Sequence, residues 1–157
     1  MKSKRLKLLN LTFVALSIFI FISCNKSDDS QDESSSFTWT WSAITYNGNF
    51  KEAYLQSLSV TPVIIAGMGT SLQSPGTGPR ISLNSFNVGS YNLVSGIANT
   101  ISFVAPNGDN LQSTSGTLTI TSNSNNKMNG NFSATLINAV GLNSSLIGSF
   151  TNLRISQ

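Results

Sequence analysis

Any chemistry in this chain has to be built from very few reactive side chains. Its 157 residues include no histidine and a single cysteine, so neither a Ser-His-Asp triad nor a Cys-His pair can be assembled. Beyond residue 36 only Glu52 and Asp109 carry a carboxylate. A glycoside hydrolase needs two carboxyl groups roughly 5–10 Å apart across the scissile bond. Glu52 and Asp109 would qualify only if folding brought them together. Asp109 falls in the sequence Pro106-Asn107-Gly108-Asp109, where aspartate is common for conformational reasons, and Glu52 adjoins Lys51. The inventory points away from catalysis, with a Glu52/Asp109 hydrolase as the catalytic alternative.

Metal chemistry is equally ill provided. Zinc wants histidine and thiolate. Calcium would have to rely on Asp109 with Asn107, Asn110 and carbonyls, and one carboxylate gives weak affinity. No metal or cofactor is therefore expected. Binding has better candidates. Trp39 and Trp41, at i and i+2 of an alternating run, share one face and would stack on sugar rings if exposed. More often such a face belongs to the core, because aromatics carry large apolar area. Ser71–Pro79, with two prolines and two glycines, predicts a long loop of the kind that carries recognition on rigid β scaffolds.

The elements that would position these residues begin with an address. Lys2, Lys4, Arg5 and Lys7 precede an apolar run from Leu8 to Ile22. That run is shorter than the ~20 residues that span a bilayer, and with its basic start it reads as a signal peptide over 1–23. Phe21-Ile22-Ser23-Cys24 resembles the lipobox of bacterial lipoproteins, with Phe21 where that pattern usually has leucine. The resemblance implies that Cys24 becomes the acylated N-terminus. Each buried methylene contributes about 0.8 kcal/mol and one chain holds only marginally, so two or three chains anchor durably. The membrane is the first partner, reached through Cys24.

Residues 24–36 continue as Cys24 and then NKSDDSQDESSS, without an apolar side chain after the cysteine. Such composition cannot offset chain entropy by burial, which predicts a disordered tether. Lys26-Ser27-Asp28-Asp29 resembles the export signal of Bacteroidota lipoproteins, which implies the outer membrane and its cell-surface face; the periplasmic face is the alternative. Removing the signal leaves five cations against six carboxylates, so the precursor's basic character vanishes. Scattered Lys and Arg do not make a phosphate-binding surface, and nucleic acid is excluded as a partner.

Residues 37–157 alternate with period two. Phe37, Trp39 and Trp41 oppose Thr38, Thr40 and Ser42; Leu118 and Ile120 alternate with threonines; Met128, Phe132, Ala134 and Leu136 mark another buried face. Asn47-Gly48 predicts a type I′ hairpin between strands near Ala43–Tyr46 and Asn49–Ala53. Further strands are expected near Tyr54–Val60, Val63–Thr70, Arg80–Phe86, Gly89–Leu93, Thr100–Val104, Thr117–Ser122, Lys127–Ile137 and Leu146–Ile155, with a break at Thr61-Pro62. No helical period is evident. The expected fold is all-β: a single antiparallel β-sandwich or flattened meander barrel of about 8–9 strands, with a lipocalin-like eight-stranded barrel as alternative.

Asn47-Gly48, Gly89-Ser90-Tyr91, Ser115 to Ile120, Gly130-Asn131-Phe132 and Gly148-Ser149-Phe150 occur in an order similar to that of an uncharacterised family of small Bacteroidota lipoproteins. That resemblance implies fold and location and carries no activity. The expected role is a lipid-anchored, non-catalytic binding or accessory module for a glycan, a small molecule or an envelope protein. A structural lipoprotein merely displayed at the surface is the further alternative.

Overall fold

A computed structural model describes residues 34–56, 61–96 and 98–156. The expectations for the signal segment, Cys24 and the tether up to Glu33 lie outside the described residues. Those residues form ten strands and no α-helix, as the period-two pattern requires: β1 (Ser36–Trp41), β2 (Ile44–Asn47), β3 (Phe50–Gln56), β4 (Thr61–Gly67), β5 (Gly78–Ser82), β6 (Gly89–Asn92), β7 (Thr100–Val104), β8 (Asn110–Ser124), β9 (Lys127–Asn138) and β10 (Asn143–Ser156).

Seven of them close a barrel in the order β3-β4-β5-β7-β8-β9-β10. Every junction in the ring is antiparallel except the last, where Ile155 and Ser156 of β10 run parallel to Ala53 and Tyr54 of β3. The three remaining strands extend it: β1 lies on β10 beyond the reach of β3, β2 lies on β1, and β6 lies on β8. The fold is thus all-β with ten strands, and the ring has seven members rather than the eight of a lipocalin-like barrel.

Alternation fills the interior. Phe37 and Trp39 of β1, Ile64 of β4, Phe103 of β7, Phe132 of β9 and Phe150 of β10 all belong to one buried cluster. Fully burying each such side chain contributes about 1.5–3 kcal/mol. The outward positions of β6, β8, β10, β1 and β2 carry hydroxyls that meet across strands, as in Ser90–Thr119 (3.1 Å), Thr38–Ser149 (3.3 Å) and Thr40–Thr45 (2.9 Å). Long β8 and β10 bend through register shifts at Ser113/Ser115, Ile120/Ser122 and Phe150/Leu153. Such shifts raise local twist and let a long strand serve two neighbours in succession.

Several local expectations are corrected. Asn47-Gly48 is not a hairpin tip, because β2 pairs with β1 and β3 pairs with β4 and β10. The tight turn sits instead at Ser42-Ala43, both left-handed (φ 49° and 63°). That register puts Trp39 opposite Tyr46, with their rings stacked at 5.7 Å.

The expected strand boundary between Ala53 and Tyr54 does not exist, since Phe50–Gln56 is continuous. Pro62 stands inside β4, opposite Leu55, and its carbonyl accepts the Leu83 N–H (2.9 Å). The strand expected over Arg80–Phe86 runs from Gly78 to Ser82. The strand expected from Thr117 starts at Asn110, where it pairs with β7; the inward Ser113, a small polar residue, interrupts the apolar alternation that would have marked this stretch.

Candidate functional site

The two carboxylates do not meet. Glu52 lies on β3, where its Oε1 accepts the Ser156 hydroxyl at the end of β10. Asp109 lies in the β7–β8 turn, its Oδ2 accepting from Asn107 Nδ2 (3.1 Å) and Asn138 Nδ2 (3.4 Å). The shorter way between them along the barrel wall runs through the cross-strand row Glu52–Ile65–Arg80–Ser102–Gln112 and then back along β8 to Asp109, roughly 20 Å of strand spacing and about 10 Å of strand. No glycosidic bond fits between Glu52 and Asp109. The Asp109 turn is closed by its own amides, and among the described residues no three potential metal-ligating acidic, histidine or cysteine side chains come together.

The two tryptophans separate. Trp39 is a core residue, 1% exposed, edge-on to Phe37 and stacked on Tyr46. It offers no face to a ligand outside the barrel: of the two readings of this face, Trp39 takes the core one, and it is not the ligand contact that the sequence also allowed. Trp41 is half-buried against the core near Phe103 (5.7 Å), and its Nε1 donates to Ser144 Oγ (3.2 Å). It is a rim residue already tied to β10.

The Ser71–Pro79 candidate gives a site. β4 and β5 are joined by residues 68–77, whose backbone folds back on itself: Met68 N–H donates to Thr77 O (2.9 Å), Gly69 N–H to Pro75 O (2.7 Å) and Ser74 N–H to Ser71 O (3.1 Å). Prolines and glycines therefore allow a compact ladder here, where none was expected. Glycine is required: a Cβ on Gly67 would stand 1.9 Å from the Pro75 carbonyl oxygen. Leu72 and Pro75 thereby come to border a cavity of about 170 Å³ with Ile65, Arg80, Ser102 and Val104.

The wall of this cavity is the outer surface of β4, β5 and β7. Ile64, Ile81 and Phe103 point into the core, so Ile65, Arg80, Ser102 and Val104 point outward. Arg80 then reaches across β4 to β3, its Nη1 donating to the Tyr54 hydroxyl (2.9 Å) and its Nη2 to Gln56 Oε1 (3.2 Å). Its guanidinium carbon lies 6.0 Å from the centre of the Tyr54 ring, within cation–π range. The stem must cross the outward face of β4, where Val63 and Ile65 are buried although they lie outside the core cluster. Long cationic side chains cover apolar surface in this way.

Arg80, Tyr54 and Gln56 were not singled out from sequence. The available signals were a lone arginine directly after Pro79 and polar side chains at i and i+2 of β3. The chain matches no protein-family model, and no curated protein or solved structure matches it either.

Proposed function

We propose that this chain is a lipid-anchored envelope lipoprotein whose barrel is a non-catalytic binding module, with its ligand site beneath the 68–77 loop. Cys24 carries the lipid, the acidic residues after it send the protein to the outer membrane, and the domain faces the cell surface. This reading rests on the signal-like N-terminus with its lipobox-like end and on the resemblance to small Bacteroidota lipoproteins. The observation that carries the binding role is the cavity beneath the loop, a recess of about 170 Å³ walled by Ile65, Leu72, Pro75 and Val104 with the Ser102 side chain among them. Ligand sites are typically apolar recesses with a few placed polar groups. A small molecule or one projecting group of a glycan or envelope protein fits that description.

Metabolic labelling with a palmitate analogue tests the anchor: Cys24→Ala abolishes labelling, and persistent labelling defeats the assignment. Protease treatment of intact cells separates surface display from the periplasmic face. For the binding role, fragment and glycan screens on the intact lipoprotein are run beside Ser102→Phe, which fills the recess. Hits lost in that variant support the module, and hits indifferent to it remove the site.

A further inference from the structure

We infer that Asn107 is a site of spontaneous chemical modification, where the backbone of Gly108 drives loss of the side-chain amide, and that the fold directs this reaction to Asn107 ahead of two other asparagines in the same dipeptide. Asn-Gly occurs at Asn47-Gly48, Asn107-Gly108 and Asn129-Gly130. In each, the glycine N can attack the asparagine Cγ, since glycine has no Cβ to obstruct the approach and adopts unusual backbone angles readily. An N–Cγ bond forms and the Cγ–Nδ2 bond breaks. The amide leaves as ammonia, with the proton that the glycine N gives up. Water then opens the succinimide at either of its carbonyls and leaves aspartate or isoaspartate. Water is the sole co-reactant, so the rate is set by how readily the backbone reaches the attacking geometry.

Two of the pairs are held by the sheet. Gly48 is buried, and its N–H donates to Phe37 O of β1 (2.9 Å). Gly130 is buried within β9, opposite Ile120 of β8 on one side and Phe150 of β10 on the other. The Asn129 side chain is fixed at both ends, its Oδ1 accepting the Asn152 N–H (2.6 Å) and its Nδ2 donating to Ser122 Oγ (2.9 Å). Reaction at either pair requires strands to part. Asn107 and Gly108 are instead exposed in the β7–β8 turn. Gly108 has φ 87°, and a Cβ there would meet no atom of the described residues within 4 Å. The bonds that tie this pair run from Gly108 N–H to Ala105 O (2.9 Å), from Asp109 N–H to Asn107 Oδ1 (3.1 Å) and from Asn107 Nδ2 to Asp109 Oδ2 (3.1 Å), all within the turn itself. Exposed turns open at little free-energy cost, whereas core strands open only with most of the fold. The product sets a carboxylate where Nδ2 now donates to Asp109, beside the Asn138 amide that reaches the same oxygen.

The full-length, detergent-solubilised protein is aged at mildly alkaline pH, natively and in urea, then digested, and mass spectrometry follows the change from amide to acid at each Asn-Gly pair. In the native protein Asn107 reacts at least about tenfold faster than Asn47 and Asn129, as local opening set against opening of the sheet requires. In urea the three rates converge, because the three dipeptides are the same. Asn107→Gln, whose attack would have to close a larger ring, leaves the 105–110 segment unmodified. Native rates that do not single out Asn107 overturn the inference. A gap that survives in urea overturns it too, since the cause would then lie in the flanking residues and not in the fold. Acid that still appears in the 105–110 segment of the glutamine variant assigns the reaction to another residue.

Discussion

The ring of Phe132 lies over Gly148, directly opposite it across β9 and β10, and the ring of Phe150 lies over Gly130 in the same way. The chain thus uses one Gly-x-Phe segment in each strand, and antiparallel pairing sets the glycine of one against the phenylalanine of the other. A Cβ on Gly148 would stand 2.3 Å from the Phe132 ring and 2.6 Å from the Thr38 carbonyl oxygen. Phe37 lies against both rings, 5.9 Å from Phe132 and 5.7 Å from Phe150, so neither ring has room to withdraw.

Gly148→Ala is therefore expected to destabilise the domain by about 1–3 kcal/mol through overpacking, despite alanine's lower backbone entropy cost. Phe132→Ala costs about 3–5 kcal/mol. Because both act on the same space, urea denaturation of the double variant should give less than the sum of the single effects. Additive losses would mean that ring and glycine are independent.

Trp39 supplies a second test. Its indole Nε1 is buried with no hydrogen-bond partner among the described residues. Trp39→Phe sacrifices some area but removes that orphaned donor, whose burial costs about 1–3 kcal/mol. Its destabilisation should fall well below the ~3–5 kcal/mol of Trp39→Ala, measured as urea midpoints at constant slope. Equal losses in the two variants would show that the N–H is satisfied.

The fold class was legible because alternation is a local property: Phe37/Trp39, Leu118/Ile120 and Phe132/Ala134 each announce a buried face within a few residues. Pairing was not legible at Asn47-Gly48, since the chain turns at Ser42-Ala43, which carries no glycine or asparagine to announce it, and the resulting hairpin stacks Trp39 on Tyr46. The start of β8 was hidden because Ser113 is an inward polar residue. The site was half legible. The Ser71–Pro79 loop stood out by composition, while Arg80 acquires its role only when β5 lies two strands from Tyr54 and Gln56.

Gly67 tests the loop that shapes the recess. Gly67→Ala places a methyl against the Pro75 carbonyl, at 1.9 Å before relaxation, so residues 68–77 must lift away. Limited proteolysis should then cut within 68–77 much faster than in the parent protein, while the core's unfolding midpoint moves little. Unchanged cleavage would mean that the backbone yields without opening the recess.

Ser113 is the buried polar residue of β8, 0% exposed, and its Oγ accepts the Ile101 N–H at 3.0 Å. Ser113→Ala leaves that N–H without an acceptor, at about 1–3 kcal/mol. Hydrogen exchange at Ile101 should accelerate beyond what the global loss of stability explains, because β7 loses its local tie to β8. Exchange that tracks global unfolding alone would contradict this.

Asn138 holds the β9–β10 turn from within. Its Oδ1 accepts the N–H groups of Val140 (3.2 Å) and Leu142 (2.9 Å), while its Nδ2 reaches Asp109 in the neighbouring turn. Val140 and Leu142 are 78% and 66% exposed, so side-chain burial contributes little to the order of this turn and the amide has to supply it. Asn138→Ala removes both acceptor bonds and the link to Asp109, and should cost about 1–2 kcal/mol, the scale of lost side-chain-to-backbone bonds. Asn138→Asp keeps the acceptors but sets a second carboxylate beside Asp109, so it should recover stability as salt screens the repulsion, whereas the alanine variant should not. A salt-independent aspartate variant would mean that the two turns do not communicate through this pair.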